Sequence, residues 1–206
     1  MHGAYQGYKD VMKMFGIPEE ELVPGDFYRV PGVKFMGSNA RICACDELKD
    51  YLFDIKFDEE FGIEVNGKET SIEDFSHADE YAKGEFSDEE YYNHYASYFH
   101  DDIGELVYTF DKNKEEGRKV LIIGDSYSNC IDKIIASHFY KTYVIDLRYY
   151  EQFNGEKFIL TDYVDENEIT DVLVMLSANS VYFESADLDM GLEKATGIKK
   201  DRDLDK

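Results

Sequence analysis

The sequence predicts a three-layer α/β/α fold, with a central, mostly parallel sheet between helices and a small antiparallel β insertion ahead of it. Three observations carry this reading. Short runs rich in Val, Ile and Leu, "KVLIIG" at 119–124, "KTYVID" at 141–146 and "DVLVML" at 171–176, have the character of strands buried on both faces. Helical stretches, "NCIDKIIASHF" and "TDYVDENEI", separate those runs, which is the alternation of a parallel sheet with crossover helices. Further upstream, Asn66-Gly67 lies between two segments of alternating polarity, the two-residue signal for a hairpin.

Taken in order, "HGAYQGYKDVMKMFGIP" predicts a first helix, with Ala4, Tyr8, Val11, Met12 and Phe15 on one face and Gly16 and Pro18 as its stop. No capping residue precedes it, so the reading expects a lead-in upstream of Met1. From Glu21 to about Ser76, "DFYRVPGVKFMG" and "FGIEVNGKETSI" predict the antiparallel insertion, with a short helix around "CDELKDYLF". "FSDEEYYNHYASYFHDD" predicts a long helix, because Ser87 and Glu90 have capping-box spacing and Tyr91, Tyr95, Tyr98 and Phe99 form a stripe. The helix at 161–169 takes Thr161 as its cap. One domain over 1–198 is expected, followed by a charged tail at 199–206.

Composition excludes several function classes. The chain has 22 basic and 45 acidic residues, a formal net charge of −23, which opposes a nucleic-acid partner or an anionic membrane surface. Cys43, Cys45 and Cys130 are too few and too oddly spaced for a disulfide framework or a zinc site, so no metal and no cofactor are expected. A nucleotide or flavin binder is disfavoured by the same charge and by the lack of a glycine-rich phosphate cradle at the strand ends. The sequence carries neither a signal peptide nor a run of about 18 apolar residues.

In a parallel α/β sheet, ligands sit beyond the carboxyl ends of the strands. Those ends carry Asp125-Ser126, Arg148-Tyr149 and Ser177-Ala178-Asn179. Ser126 is either a nucleophile on a sharp strand-to-helix turn or the capping serine of the next helix. Gly124 allows the tight turn, amides at the helix start favour an oxyanion, and Asn179 offers a side-chain donor. Arg148 reads as a ligand clamp or as a partner for acidic neighbours. No histidine stands at a strand end. His138 reads as structural, and His94 and His100 read as surface or interface residues.

At these residues the sequence resembles the DHHW-type proteins of the SGNH-hydrolase-like group, which includes bacterial polysaccharide O-acetyltransferases of the alginate type. The blocks are "VLIIGDSYS", "HFYKTYVIDLRYY", "DVLVMLSANSVYF", "HGAYQGYKDVMKMFGI", "FMGSNARICACDELKDY" and "YYNHYASYFHDD", together spanning Gly3 to Phe183. The resemblance implies a flavodoxin-like, SGNH-type three-layer fold and ester chemistry, with acetyl transfer or removal on a cell-surface carbohydrate. It makes Ser126 the nucleophile, Asp125 its structural neighbour and Asn179 the oxyanion-hole residue, with Ser177 where a Gly is usual. Arg148, Tyr149 and Tyr127 would bind the carbohydrate or acylated small-molecule ligand. The family's catalytic Asp and His belong to an Asp-His-His-Trp motif upstream of the first helix, so the expectation is a truncated, nearly inert chain whose parent works outside the cytoplasm. The competing reading is a carbohydrate-binding or assembly protein on the same scaffold, in which Ser126 caps a helix. The oligomeric state is left open.

Overall fold

The computed structural model describes residues 1–177 apart from 46, 48, 49, 76, 90, 101 and 102, so Asn179 and the tail at 199–206 lie outside the described residues. The sheet is built outward from β6 (Lys119–Gly124), which pairs in parallel with β7 (Lys141–Ile145) on one side and β8 (Asp171–Met175) on the other. Val120, Leu121, Ile122 and Ile123 are each at most 1% exposed. Burying four aliphatic side chains on one strand contributes about 1.5–3 kcal/mol apiece. Their alternation serves two layers. Val120 and Ile122 face a cluster containing Tyr8, Met12, Ile134 and Ile135 of α1 (His2–Met14) and α6 (Asp132–Ala136). Leu121 and Ile123 face Tyr143, Tyr150, Phe158 and Tyr163, in the layer formed with α7 (Tyr150–Asn154) and α8 (Leu160–Asn167). The three-layer α/β/α arrangement follows from this two-sided burial.

Beyond β7 the sheet turns antiparallel. β5 (Glu105–Thr109) pairs with β7, β3 (Gly62–Val65) pairs with β5, and β4 (Lys68–Thr70) closes the edge, giving the order β4-β3-β5-β7-β6-β8. The Asn66-Gly67 hairpin forms as expected, with φ of 47° and 73°, and the Asn66 side chain accepts a hydrogen bond from the Glu105 amide. It belongs to the main sheet. The separate small antiparallel sheet is the pair β1 (Phe27–Phe35) and β2 (Asp50–Ile55). Its register shifts between Arg29 and Lys34, around Pro31, which has no N–H to give the ladder.

Several local expectations are corrected. Around 45–53 the helix gives way to β2, because "DYLFDI" buries Leu52 and Asp54 and exposes Tyr51 with period two, while a short α2 (Ser38–Ile42) lies earlier. The long helix at 86–102 reduces to α5 (His94–Phe99), capped by the Asn93 side chain on the Ala96 amide; Ser87 Oγ instead accepts from the Glu89 amide. The chain doubles back there. α3 (Ile72–Phe75) and α4 (Ala78–Lys83) come first, and Tyr81 of α4 packs edge-on to Tyr98 of α5. Thr161 sits inside α8, whose cap position is Ile159. β8 is an edge strand among the described residues, so Val172 and Val174 remain exposed where burial on both faces was expected. No helix among the described residues is long and apolar enough to cross a membrane.

Two polar ties fasten the layers. Asp54 of β2 accepts from Tyr28, Tyr98 and Lys133, joining the small sheet to α6. Tyr8 of α1 accepts from the Val23 amide and is hydrogen-bonded to His138 Nε2 at 2.7 Å, which ties α1 to the segment after α6. Burial, aided by the Lys112 ammonium, lowers the His138 imidazole to about 4. A depressed imidazole stabilises the fold fully above its unfolded value of about 6.5 and loses that contribution as pH falls through about 4. His138→Gln should therefore remove part of the acid sensitivity. Urea midpoints of wild type and variant should differ least near pH 4 and most above pH 6.5.

Candidate active site

β6 ends at Gly124 and the chain turns sharply. A Cβ on Gly124 would lie 2.6 Å from Ser128 Oγ, so the turn has room for glycine and nothing larger without displacing that hydroxyl. Ser128 is buried, and both its amide and its Oγ donate to the Asp125 carbonyl; the Ile131 and Asp132 amides then donate to the Ser128 carbonyl. A run of turns, rather than an immediate helix, thus links Ser126 to α6, which begins at Asp132.

Asp125 is 4% exposed. Its Oδ1 accepts from the Tyr127 amide at 3.0 Å and its Oδ2 from the Ser177 amide at 2.8 Å, so one carboxylate shapes the turn and holds the end of β8 against it. Ser126 is half-buried, and its carbonyl accepts from Tyr95 at 2.7 Å. Burial drives the Tyr95 phenol far above its ordinary range, which keeps it a donor. Ser126 lines a cavity together with Asp125, Ser128, Asn129, His100 and Asp146.

The expected site residues divide. Asp125 and Ser126 line the cavity, while Arg148 reaches it through Asp146: its Nε donates to Asp146 Oδ1 at 2.9 Å, and its guanidinium lies 5.1 Å from the Tyr149 ring centroid. Tyr127 is 69% exposed beside the turn. Asn179 lies outside the described residues.

The sequence reading missed His100, Asp132, Asn129 and Asp146. His94 and His100, read as surface or interface residues, are both buried. His94 contacts Tyr81 in the core, whereas His100 Nε2 lies 3.3 Å from Asp132 Oδ2, and Asp132 Oδ1 accepts from Tyr108 at 3.0 Å. Burial pushes the Tyr108 phenol well up, so it too stays a donor. A signal was present: Asp132 is a lone carboxylate in the apolar run "NCIDKIIA", and a buried charge requires a partner. Cys130 is buried with its thiol raised by desolvation, which makes it a poor nucleophile. Among the described residues no group of three His, Cys, Asp or Glu side chains is placed to hold a metal ion.

No family model and no curated protein matches the chain. Among solved structures it is similar to a DHHW family protein from Eubacterium siraeum, at 22% identity and a TM-score of 0.66, covering 96% of this chain and 61% of that one. It is also similar to Bacillus cereus PatB1 carrying a sulfonyl adduct, at 22% identity and a TM-score of 0.60, covering 86% and 57%. A second structure of Bacillus cereus PatB1 gives 20% identity and a TM-score of 0.56, covering 86% and 59%. At these identities the shared property is the fold. The chain spans about three fifths of the length of the structures it matches.

The Asp125 geometry makes one substitution informative. Asp125→Asn keeps the shape but leaves one oxygen for two amide donors, so one of the Tyr127 and Ser177 bonds is lost. The expected cost is about 1–3 kcal/mol in urea unfolding, with faster exchange of whichever amide loses its acceptor.

Proposed function

We propose that the chain is a DHHW-type, SGNH-like domain that hydrolyses or transfers acyl esters, acting on cell-surface carbohydrate with Ser126 as nucleophile. The observation that carries this reading is the placement of Ser126 on a strand-end turn that lines a cavity with an imidazole and is braced by a buried carboxylate. Ester chemistry of this kind needs the hydroxyl exposed at a fixed point and a nearby group to take its proton. The fold shared with PatB1 supports it, since a sulfonyl adduct is what a nucleophilic side chain forms with a sulfonyl reagent. The cavity favours a neutral ligand over a phosphate, because Asp125 and Asp146 lie in its wall and Arg148 already neutralises Asp146. Tyr127, exposed next to Ser126, offers a flat apolar face on which a sugar ring can rest.

A carbohydrate-binding role without catalysis keeps the same ligand class and predicts that Ser126 is dispensable. Hydrolysis of p-nitrophenyl acetate and of an O-acetylated polysaccharide separates the two. If Ser126 is the nucleophile, Ser126→Ala should lower turnover by about 10³-fold or more, to background. Equal, near-background rates in wild type and variant would count against turnover at Ser126 in this chain, and glycan binding unaffected by Ser126→Ala would then favour the binding protein.

A further inference from the structure

We infer that the outer face of the small sheet, at Arg29, Tyr51 and Lys34, holds the acid groups of a carboxylate-bearing polysaccharide; this rests on the reading of the ligand as carbohydrate. In the β1–β2 register Arg29 lies opposite Phe53 and Lys34 opposite Tyr51, so these four side chains share one face, while Leu52 and Asp54 turn to the buried one. α1 covers one end of the outer face, where His2 and Tyr5 pack on Phe27. The other end is open: Arg29 and Lys34 are exposed, and Tyr51 is 44% exposed.

Arg29 is already oriented for such a ligand. Its guanidinium carbon lies 3.3 Å from the Tyr51 ring centroid, a van der Waals separation that two planar groups reach face to face. Stacking fixes the plane of the fork and turns its N–H groups outward, alongside the ring. None of them meets a carboxylate among the described residues, whereas Arg118 pairs with Asp171 and Arg148 with Asp146. A fork held in this way matches a carboxylate, which accepts two parallel N–H bonds. Lys34, directly across from Tyr51, adds a second cation that also has no ion pair among the described residues. In a chain with 45 acidic and 22 basic residues, composition favours an acid beside Arg29, and two like charges around one ring repel instead. An anion from outside the chain removes that repulsion.

A sugar acid fits this face better than an acidic peptide does. The Tyr51 ring and the stacked guanidinium make a flat surface suited to the face of a sugar ring, and the strand that carries the patch ends next to the Ser126 turn. Phe35, the neighbour of Lys34, has its ring 6.1 Å from that of Tyr95, whose hydroxyl lies 2.7 Å from the Ser126 carbonyl. Asp125 and Asp146 stand in the cavity wall, so the acid groups of a polymer whose ester enters the cavity must lie outside it. The net charge of −23 repels an anion at long range, but screening over about 10 Å leaves the contacts at Arg29 and Lys34 to decide binding.

The test is calorimetric titration of the full chain with oligogalacturonate, with dextran as the neutral glycan and polyglutamate as the acidic peptide. Oligogalacturonate should bind, more weakly as salt is raised, and Arg29→Gln should lower its affinity about 10-fold or more and Lys34→Gln about 3-fold. Both positions are exposed, and unchanged urea midpoints would show that the variants keep their fold. Undiminished affinity in both variants would overturn the inference, as would dextran binding as tightly as oligogalacturonate; either leaves the carbohydrate reading standing. Polyglutamate binding as tightly would assign the face to an acidic peptide and overturn it too. Absence of binding to both glycans would count against the carbohydrate reading and this inference together. The titration requires no turnover, so a chain that binds oligogalacturonate through Arg29 but fails to hydrolyse esters loses the reading of Ser126 as nucleophile alone.

Discussion

The Asp125 carboxylate is the constraint on which the geometry of this molecule's carboxyl-end surface depends. A parallel sheet leaves its strand ends without mutual hydrogen bonds, and here one buried side chain supplies them, accepting from the turn after β6 and from the end of β8. The carboxylate is acceptor-only and has two oxygens, which suits two converging amides; an amide or a hydroxyl in its place would bring a donor to a position that needs none. Ser128 completes the turn by returning its amide and hydroxyl to the Asp125 carbonyl, and the room for that hydroxyl exists because position 124 is glycine. Ser126 is therefore positioned by the turn around it, which sets the residue in the cavity wall.

Much of this was legible in sequence wherever a periodic signal was strong and local. The three Val/Ile/Leu runs became β6, β7 and β8, the first helix ran nearly as its apolar stripe indicated, and Asn66-Gly67 made its hairpin. The failures have a common cause. β2 and the segment before α5 carry helix-like composition, yet their form is decided by partners distant in the chain: β1 across the small sheet, and Tyr81 against Tyr98 in the core. β5, read as no element at all, is a strand because β3 and β7 flank it. At the site, Gly-Asp-Ser was visible as a motif, but the burial of His100 was not, since it depends on α6 and β5 bringing Asp132 and Tyr108 to one point.

Tyrosine gives the interior its particular character. The chain has 17 tyrosines and no tryptophan, and a buried phenol needs an acceptor. Tyr98 finds Asp54, Tyr108 finds Asp132, Tyr163 finds Glu105, and Tyr8 finds His138. Part of the acidic composition therefore serves the interior, where carboxylates accept from phenols that burial keeps protonated. Each of these pairings crosses from one element to another and fixes one layer against the next. Asp132 differs from the other carboxylates in also facing His100, a residue of the Ser126 cavity wall.

The backbone at His100 also bears on how this protein can change over generations. A non-glycine residue at φ 150° costs on the order of 1–3 kcal/mol, an appreciable part of the roughly 5–15 kcal/mol by which a domain is stable. Drift under selection for folding alone would empty this position of histidine and fill it with glycine, since most replacements that ease the strain also raise stability. The imidazole and the fold thus pull in opposite directions at a single residue.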